Sequence, residues 1–343
     1  MNYQLVQKLY IWLGVAFFVC FCGAVSFCHA AEPLGIAMEN YTYPYPVEFF
    51  PLKIEGQDLK MAYMDVLPAD ESKPRGTVVL FHGKNFFGAY WKNTIAILRE
   101  AGFRVIVPDQ LGFGKSSKPD IHYSFQLLAK NTHDLLTSLG IDGVVLVGHS
   151  MGGMIATRFA LMYPEFTTRL VLENPIGLED YKEKVPYVPT EKLYEEELFT
   201  NEEAIRKYQK QYYAQWKPEY DEYVQVAARW MLSGEYPRLA RSAALTTQMI
   251  YEQPVCHELA LLRTPTLLIL GQYNRTAVGK ERVSKEVAAT MGNYPELGKQ
   301  AAALIPDAKL IPIENCGHVP HLEAPAKFHA ALLEFLIAPE AAH

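Results

Sequence analysis

The chain has 343 residues, half of them apolar and a fifth charged, with a net charge of −6 and a pI near 6.0. That composition is globular, with length for one large domain plus an insertion or for two domains. No long basic run occurs, which excludes nucleic acid as the expected partner, and no internal repeat or low-complexity tract is present.

At the N-terminus, Lys8 is the only charge ahead of an apolar run from Leu9 to Phe27, and Ala30 and Ala31 precede Glu32. A charged start, an apolar middle and a small-residue end make the pattern of a secretory signal over residues 1–30, with cleavage expected after Ala30 and Ser26 or Ala31 as alternative sites. The rival reading is an uncleaved anchor, because residues 9–27 are nearly enough to span a bilayer. The expectation is export, to the periplasm or the medium, with no membrane partner after cleavage. Cys20, Cys22 and Cys28 fall in that segment, so only Cys256 and Cys316 remain. Two cysteines make no disulfide framework; they pair in an oxidising compartment or stay as free thiols.

Residues Val47–Val66 read as a β-hairpin turning near Glu55-Gly56. Then strands and helices alternate. Thr77–Phe81 (TVVLF) is a short apolar run suited to a strand buried on both faces. A helix follows over Ala89–Glu100, a strand over Arg104–Val107 and a helix over Phe125–Leu139. Next come a strand at Gly143–Val147 (GVVLV), a helix over Met151–Met162 and a strand at Leu170–Leu172. Thr266–Leu270 (TLLIL) and Lys309–Ile313 (KLIPI) are later strands, each followed by a helical stretch. This order predicts an α/β fold with a mostly parallel sheet covered on both sides. Between Asn174 and Arg263 the alternation stops. Twelve aromatics, from Tyr181 to Tyr236, and prolines at 186, 189, 218 and 237 mark a helical insertion. It is expected to act as a lid over an apolar pocket, with its aromatics as helix core or pocket lining. The predicted division is a core over 31–175, a lid over 176–262 and a second core part over 263–343.

The sharpest chemical signal is Gly148-His149-Ser150-Met151-Gly152-Gly153, directly after GVVLV and opening a helix. A serine on so tight a strand-to-helix turn has its hydroxyl raised above the sheet, and residues two before and two after must be nearly free of side chain. The helix N-terminus offers the Met151 N–H and a favourable dipole to a developing oxyanion. His82-Gly83-Lys84-Asn85 follows TVVLF, and Asp109-Gln110-Leu111-Gly112-Phe113-Gly114-Lys115-Ser116-Ser117 follows the next strand. The latter lacks the spacing of a phosphate loop. Cys316-Gly317-His318-Val319-Pro320-His321-Leu322-Glu323-Ala324-Pro325 follows the last strand.

Together these segments resemble the lid-bearing serine hydrolase, esterase-like branch of the α/β-hydrolase superfamily, over about Val47–Ile337 apart from the lid. The resemblance implies the α/β-hydrolase fold with a helical lid inserted after the sixth strand. It implies Ser150 as nucleophile, His318 as base (with His321 as runner-up), and the backbone N–H groups of Lys84 (with Asn85 as the alternative) and Met151 as oxyanion hole; the Lys84 side chain is left to solvent. The Asp109 segment resembles a structural turn of the family. One part departs from the pattern: in Gly271-Gln272-Tyr273-Asn274-Arg275-Thr276 the usual acid position holds Asn274. An amide accepts a hydrogen bond but cannot stabilise an imidazolium, and in a serine protease that exchange costs on the order of 10⁴ in turnover. Glu173, where the similar haloalkane dehalogenases place their acid, is the candidate surrogate, with Asp180 and Glu179 further off. The alternatives are a slow Ser–His dyad and a silent binding protein with the same pocket.

The expected substrate is a small molecule with a carboxylic ester or related acyl bond. Amide, lactone and C–C bond hydrolysis and cofactor-free haloperoxidase chemistry are the rivals within the fold. No metal motif and no dinucleotide fingerprint occurs, so no cofactor is expected.

Overall fold

The computed structural model describes residues 32–338. The signal segment expected over residues 1–30 lies outside them, as do Cys20, Cys22 and Cys28.

Eight strands form one sheet: β1 (Glu48–Ile54), β2 (Gln57–Val66), β3 (Thr77–Phe81), β4 (Arg104–Pro108), β5 (Val144–His149), β6 (Thr167–Glu173), β7 (Thr266–Gly271) and β8 (Ala308–Ile313). Their order is β1-β2-β4-β3-β5-β6-β7-β8. β2 runs antiparallel to β1 and β4, and every other neighbouring pair is parallel. The hairpin turns at Glu55-Gly56, both at positive φ. The strand expected at Leu170–Leu172 begins three residues earlier, because Thr167 and Arg169 pair with β5 on either side of a bulge at Thr168 without extending the apolar pattern.

Side chains alternate across the sheet, as the strand repeat requires. Val79, Phe81, Leu146, Leu268 and Leu270 point to one apolar layer, which they share with helices α2 (Phe125–Ser138) and α3 (Met151–Met162). Val78, Leu80, Val145, Val147, Leu267 and Ile269 point to the other, shared with α1 (Lys92–Glu100) and the C-terminal helix over Pro325–Ile337. In that last helix Phe328, Leu332 and Leu336 recur every four residues and lie buried on one stripe. Each such side chain withdrawn from water contributes about 1.5–3 kcal/mol. Helix α2 is capped by Ser124, whose hydroxyl accepts the Leu127 N–H at 3.0 Å. The helix expected from Ala89 starts as a 3-10 turn over Gly88–Trp91 and becomes α-helical only at Lys92.

Four helices stand between β6 and β7: α4 (Thr190–Leu198), α5 (Glu202–Lys210), α6 (Asp221–Met231) and α7 (Tyr236–Glu252). The aromatics between β6 and β7 divide. Tyr181, Tyr212, Tyr213, Tyr220 and Tyr223 are buried, whereas Tyr187 and Phe199 are exposed. Short helices α8 (Lys285–Ala289), α9 (Tyr294–Leu304) and α10 (Pro320–Glu323) complete the described chain, with the C-terminal helix as α11. Among the described residues no helix is long and apolar enough to cross a membrane. Cys256 and Cys316 are free thiols.

Candidate active site

Parallel strands end on one edge of the sheet, and loops leaving that edge converge there. β5 delivers Ser150, β6 delivers Glu173 and Asn174, the β7 loop delivers Asn274 and the β8 loop delivers His318. Ser150 sits at φ 56°, ψ −121°, a conformation that costs an L residue about 1–3 kcal/mol. The surrounding packing enforces it. A Cβ on Gly148 would overlap the Gly152 carbonyl, and one on Gly152 would overlap the Phe81 carbonyl at the end of β3. The elbow is thereby pressed against both the neighbouring strand and its own helix. The Ser150 N–H donates to Glu173 O at 3.1 Å, which ties Ser150 to β6.

His318 Nε2 lies 2.9 Å from Ser150 Oγ, and both residues are buried. His318 is held through its backbone. Its N–H donates to Tyr212 O at 2.5 Å, and its carbonyl accepts from His149 Nε2 at 2.8 Å. Donation by Nε2 leaves His149 Nδ1 as an acceptor, and Tyr90 OH reaches it at 3.0 Å while receiving the Gly83 N–H at 3.1 Å. One directed chain of hydrogen bonds therefore joins the His82–Asn85 loop, the elbow and the base loop. Glu323 anchors the same loop: Oε1 accepts the N–H groups of Gly317 (3.0 Å) and Val319 (3.3 Å), and Oε2 accepts that of Ala214 (2.8 Å). Asn174, at φ 39°, donates to Gly317 O at 2.9 Å and accepts the Gly271 N–H at 3.1 Å, bracing the two loops that follow β7 and β8.

The acid candidates sit elsewhere. Glu173, fully buried, does not reach His318. Its Oε1 accepts the His321 N–H at 2.7 Å, and both oxygens lie 2.9 Å from His321 Nδ1. That pairing also takes His321 out of competition as the base beside Ser150. Asp180 pairs with His257 at 2.9 Å, and Glu179 with Lys184 and the Gly292 N–H. Asn274 is buried after β7 where the pattern places it, but its Oδ1 accepts the Thr276 N–H at 3.0 Å, a local turn bond. Among the described residues neither Asn274 Nδ2 nor His318 Nδ1 has a hydrogen-bond partner. Nothing, therefore, fixes the tautomer in which Nδ1 carries the proton and Nε2 is free to accept.

Electrostatics follow from burial. The His318 pKa lies well below the usual imidazole value, first through desolvation and then through the neighbouring His149 and His321. His149 is pushed down to about 4 and His321 well below its usual value, both mainly by desolvation. Glu173 is raised to about 7 by burial, against the opposing effects of His149 and the His321 N–H. Low dielectric thus favours the neutral form of every member of this group.

Gly83 runs beside Ser150: a Cβ there would stand 3.2 Å from Ser150 Cβ. Lys84 follows it, and Met151 opens α3 with an N–H that has no carbonyl one turn back. The Lys84 side chain does not go to solvent. It lines a cavity of about 860 Å³ beneath the inserted helices, 3.9 Å from Glu197 of α4. Phe113, Leu193, Ile205, Tyr208, Tyr212 and Leu239 supply apolar walls. Asp109 takes a purely structural part, accepting from Tyr43 OH (2.6 Å), Gly88 N–H (2.7 Å) and Lys115 N–H (2.7 Å). Among the described residues no group of three or more His, Cys, Asp or Glu is placed to hold a metal ion.

Sequence reasoning did not single out His149, Tyr90, Asn174 or Tyr212. His149 lies within the nucleophile motif and Asn174 directly after Glu173, so position alone could have flagged them. Tyr90 and Tyr212 carry no motif and are drawn in only by folding.

Comparison with known proteins agrees with this architecture. A hydrolytic enzyme of Pseudomonas aeruginosa PAO1, described as probable, is 47% identical, with a TM-score of 0.87 over 90% of this chain and 99% of its own. An uncharacterized protein of Mycobacterium bovis is 40% identical over 101 residues, a match spanning 29% of this chain and only 29% of that relative's length. A 2-hydroxy-6-oxo-6-phenylhexa-2,4-dienoate hydrolase of Burkholderia cepacia is 27% identical over 76% of this chain and 87% of its own. The alpha/beta hydrolase family model matches residues 78–331, and with the eight-stranded sheet and the strand-to-helix serine turn this shows that the chain belongs to the alpha/beta hydrolase family.

Proposed function

We propose that the protein is an exported serine hydrolase that cleaves a carboxylic ester or related acyl bond through an acyl-enzyme on Ser150. The observation that carries this reading is the 2.9 Å approach of Ser150 Oγ to His318 Nε2 on a strained elbow. A serine hydroxyl is a poor nucleophile until a base removes its proton. In this mechanism Ser150 Oγ attacks the acyl carbon while its proton passes to His318 Nε2. The carbonyl oxygen becomes an oxyanion held by the Lys84 and Met151 N–H groups. Collapse expels the alcohol, which takes the proton from His318. Water, deprotonated by the same nitrogen, then attacks the acyl carbon and releases the acid with Ser150 restored. The apolar walls of the cavity support an ester with an apolar portion, bound under the inserted helices as a lid.

The unpartnered His318 Nδ1 supports a Ser–His dyad rather than a triad. It also supports a second reading, a silent member of the family that binds ligand in the same cavity without turnover.

Reaction of the purified protein with a fluorophosphonate probe, beside Ser150→Ala, separates the two. Labelling of the wild type that disappears in the variant supports the hydrolase. A folded wild type that never labels overturns it and leaves the binding protein. N-terminal sequencing of the mature protein checks export: a start at Ala31 agrees with cleavage after Ala30, and an intact Met1 in the membrane fraction rejects it.

A further inference from the structure

The inserted helices do more than roof the cavity. Tyr212, in the link after α5, is the point at which the insertion enters the catalytic machinery. Its carbonyl accepts the His318 N–H at 2.5 Å. Its hydroxyl accepts from Asn85 Nδ2 at 2.7 Å, on the loop that carries Lys84. Its ring lies against the imidazole of His318, centroids 4.8 Å apart and planes inclined by 35°. The residue is buried, and the fit is close: a Cβ on Gly317, just before the base, would overlap the Tyr212 carbonyl. One residue of the insertion thus touches the base at backbone and ring, and holds the oxyanion loop by its hydroxyl.

The chemistry asks for such a residue. When His318 takes the Ser150 proton it becomes an imidazolium, and in a triad a carboxylate at Nδ1 both orients the ring and stabilises that charge. Here the acid position holds an amide committed to Thr276, and Glu173 is committed to His321. The His149 and Tyr212 rings both lie 4.8 Å from the imidazole, with Tyr294 edge-on at 6.4 Å; of the two nearer rings that of Tyr212 offers a negative π-face that attracts a cation, more strongly in a desolvated setting.

We infer that Tyr212 is the positioning residue of the base, its ring face and carbonyl orienting His318 and stabilising the imidazolium in place of the missing carboxylate. The inference rests on the serine hydrolase reading. It makes closure of the insertion a condition for catalysis, because the base is complete only when the segment after α5 is docked. Hydrolysis is thereby coupled to the seating of the lid on its substrate.

The test uses the full mature protein, p-nitrophenyl butyrate as substrate and the fluorophosphonate probe as active-site titrant. Tyr212→Leu removes the ring and keeps the carbonyl. It is expected to lower kcat about tenfold, a larger effect than the change in KM that follows from trimming a wall of the cavity. Tyr212→Phe keeps the ring and carbonyl but frees Asn85 Nδ2, and its loss in kcat is expected to be smaller than that of Tyr212→Leu. In an Asn274→Asp background, where a carboxylate can serve the base, loss of the ring is expected to cost much less. Equal losses in the two backgrounds would mark Tyr212 as packing only and overturn the inference, as would a folded Tyr212→Leu with wild-type kcat. Should Tyr212→Leu fail to fold, proton NMR of the wild type decides: upfield ring-current shifts of the His318 ring protons support the stacked pair, and unshifted resonances reject it. A wild type that neither labels nor turns over overturns the hydrolase reading itself, a result distinct from all of these.

Discussion

His321 and Glu173 are bound to each other three ways: the His321 N–H donates to Oε1 at 2.7 Å, and Nδ1 stands 2.9 Å from each carboxylate oxygen. His321 also stacks on Trp91 at 4.1 Å. The Glu173 carboxylate is therefore spent on anchoring α10, immediately after His318, and not on His318 itself. Glu173→Gln is expected to leave Ser150 labelling within about threefold of wild type while destabilising the fold by about 1–3 kcal/mol, the cost of weakening a buried hydrogen-bonded group. Urea unfolding and probe kinetics on one preparation check both. Loss of labelling with stability intact would return Glu173 to the role of acid.

Asn274→Asp restores a carboxylate at the usual acid position and keeps the acceptor that Thr276 needs. Fluorophosphonate labelling is expected to rise by about 100-fold or more, since the reverse exchange in a serine protease costs on the order of 10⁴. The carboxylate would also raise the His318 pKa. Because the base works when neutral, the rising limb of the pH–rate curve should move to higher pH. An unchanged rate would mean that the Asn274 side chain is aimed away from Nδ1.

Stability should depend on pH in two opposing ways. His82, His149, His318, His321 and His329 are all buried with pKa values lowered by desolvation. Below about pH 6.5 the unfolded chain takes up protons that the folded one refuses. Their contribution is present above that value and lost as pH falls, for His149 and His329 down through about 4. Glu173, raised to about 7, has the opposite sign: its contribution is full below its ordinary value near 4.5 and lost as pH rises through 7. Denaturation between pH 4.5 and 7 should show wild-type stability falling toward acid, and Glu173→Gln falling more steeply. Parallel curves would sink the assignment.

Tyr90→Phe removes the hydroxyl that receives the Gly83 N–H and donates to His149 Nδ1. Two buried groups then lose their partner. A loss of about 1–3 kcal/mol in stability is expected, together with slower labelling as the His149–His318 link loosens. Calorimetry beside probe kinetics reads both, and a variant matching wild type in each would show the chain of hydrogen bonds to be inert.

Gly152→Ala places a methyl on the Phe81 carbonyl, backbone that cannot turn aside. The expected result is insoluble protein or a loss above about 3 kcal/mol, whereas Ser150→Ala at the adjacent strained turn should fold normally. Soluble, fully active Gly152→Ala would show that the elbow yields more readily than its packing indicates.

Much was decided by local sequence. Continuous apolar runs such as TVVLF and TLLIL specify strands buried on both faces, and glycines flanking Ser150 specify the elbow, because these constraints act between residues close in the chain. The same holds for His318, Asn274 and the HG loop, each recognisable from the strand that precedes it. Which groups then meet was decided by the tertiary structure alone. Glu173 stands next to Asn174 in sequence, yet its carboxylate binds His321, 148 positions away, while Asn174 braces Gly317, 143 positions away. Tyr212 carries no motif, and Tyr90 belongs to a turn after β3, but folding sets one against His318 and the other against His149. A side chain's partners depend on where distant loops converge and on how the space between them is filled. No short window of sequence carries that information, because the energy that selects it is shared among contacts made only when the sheet and its insertion have closed.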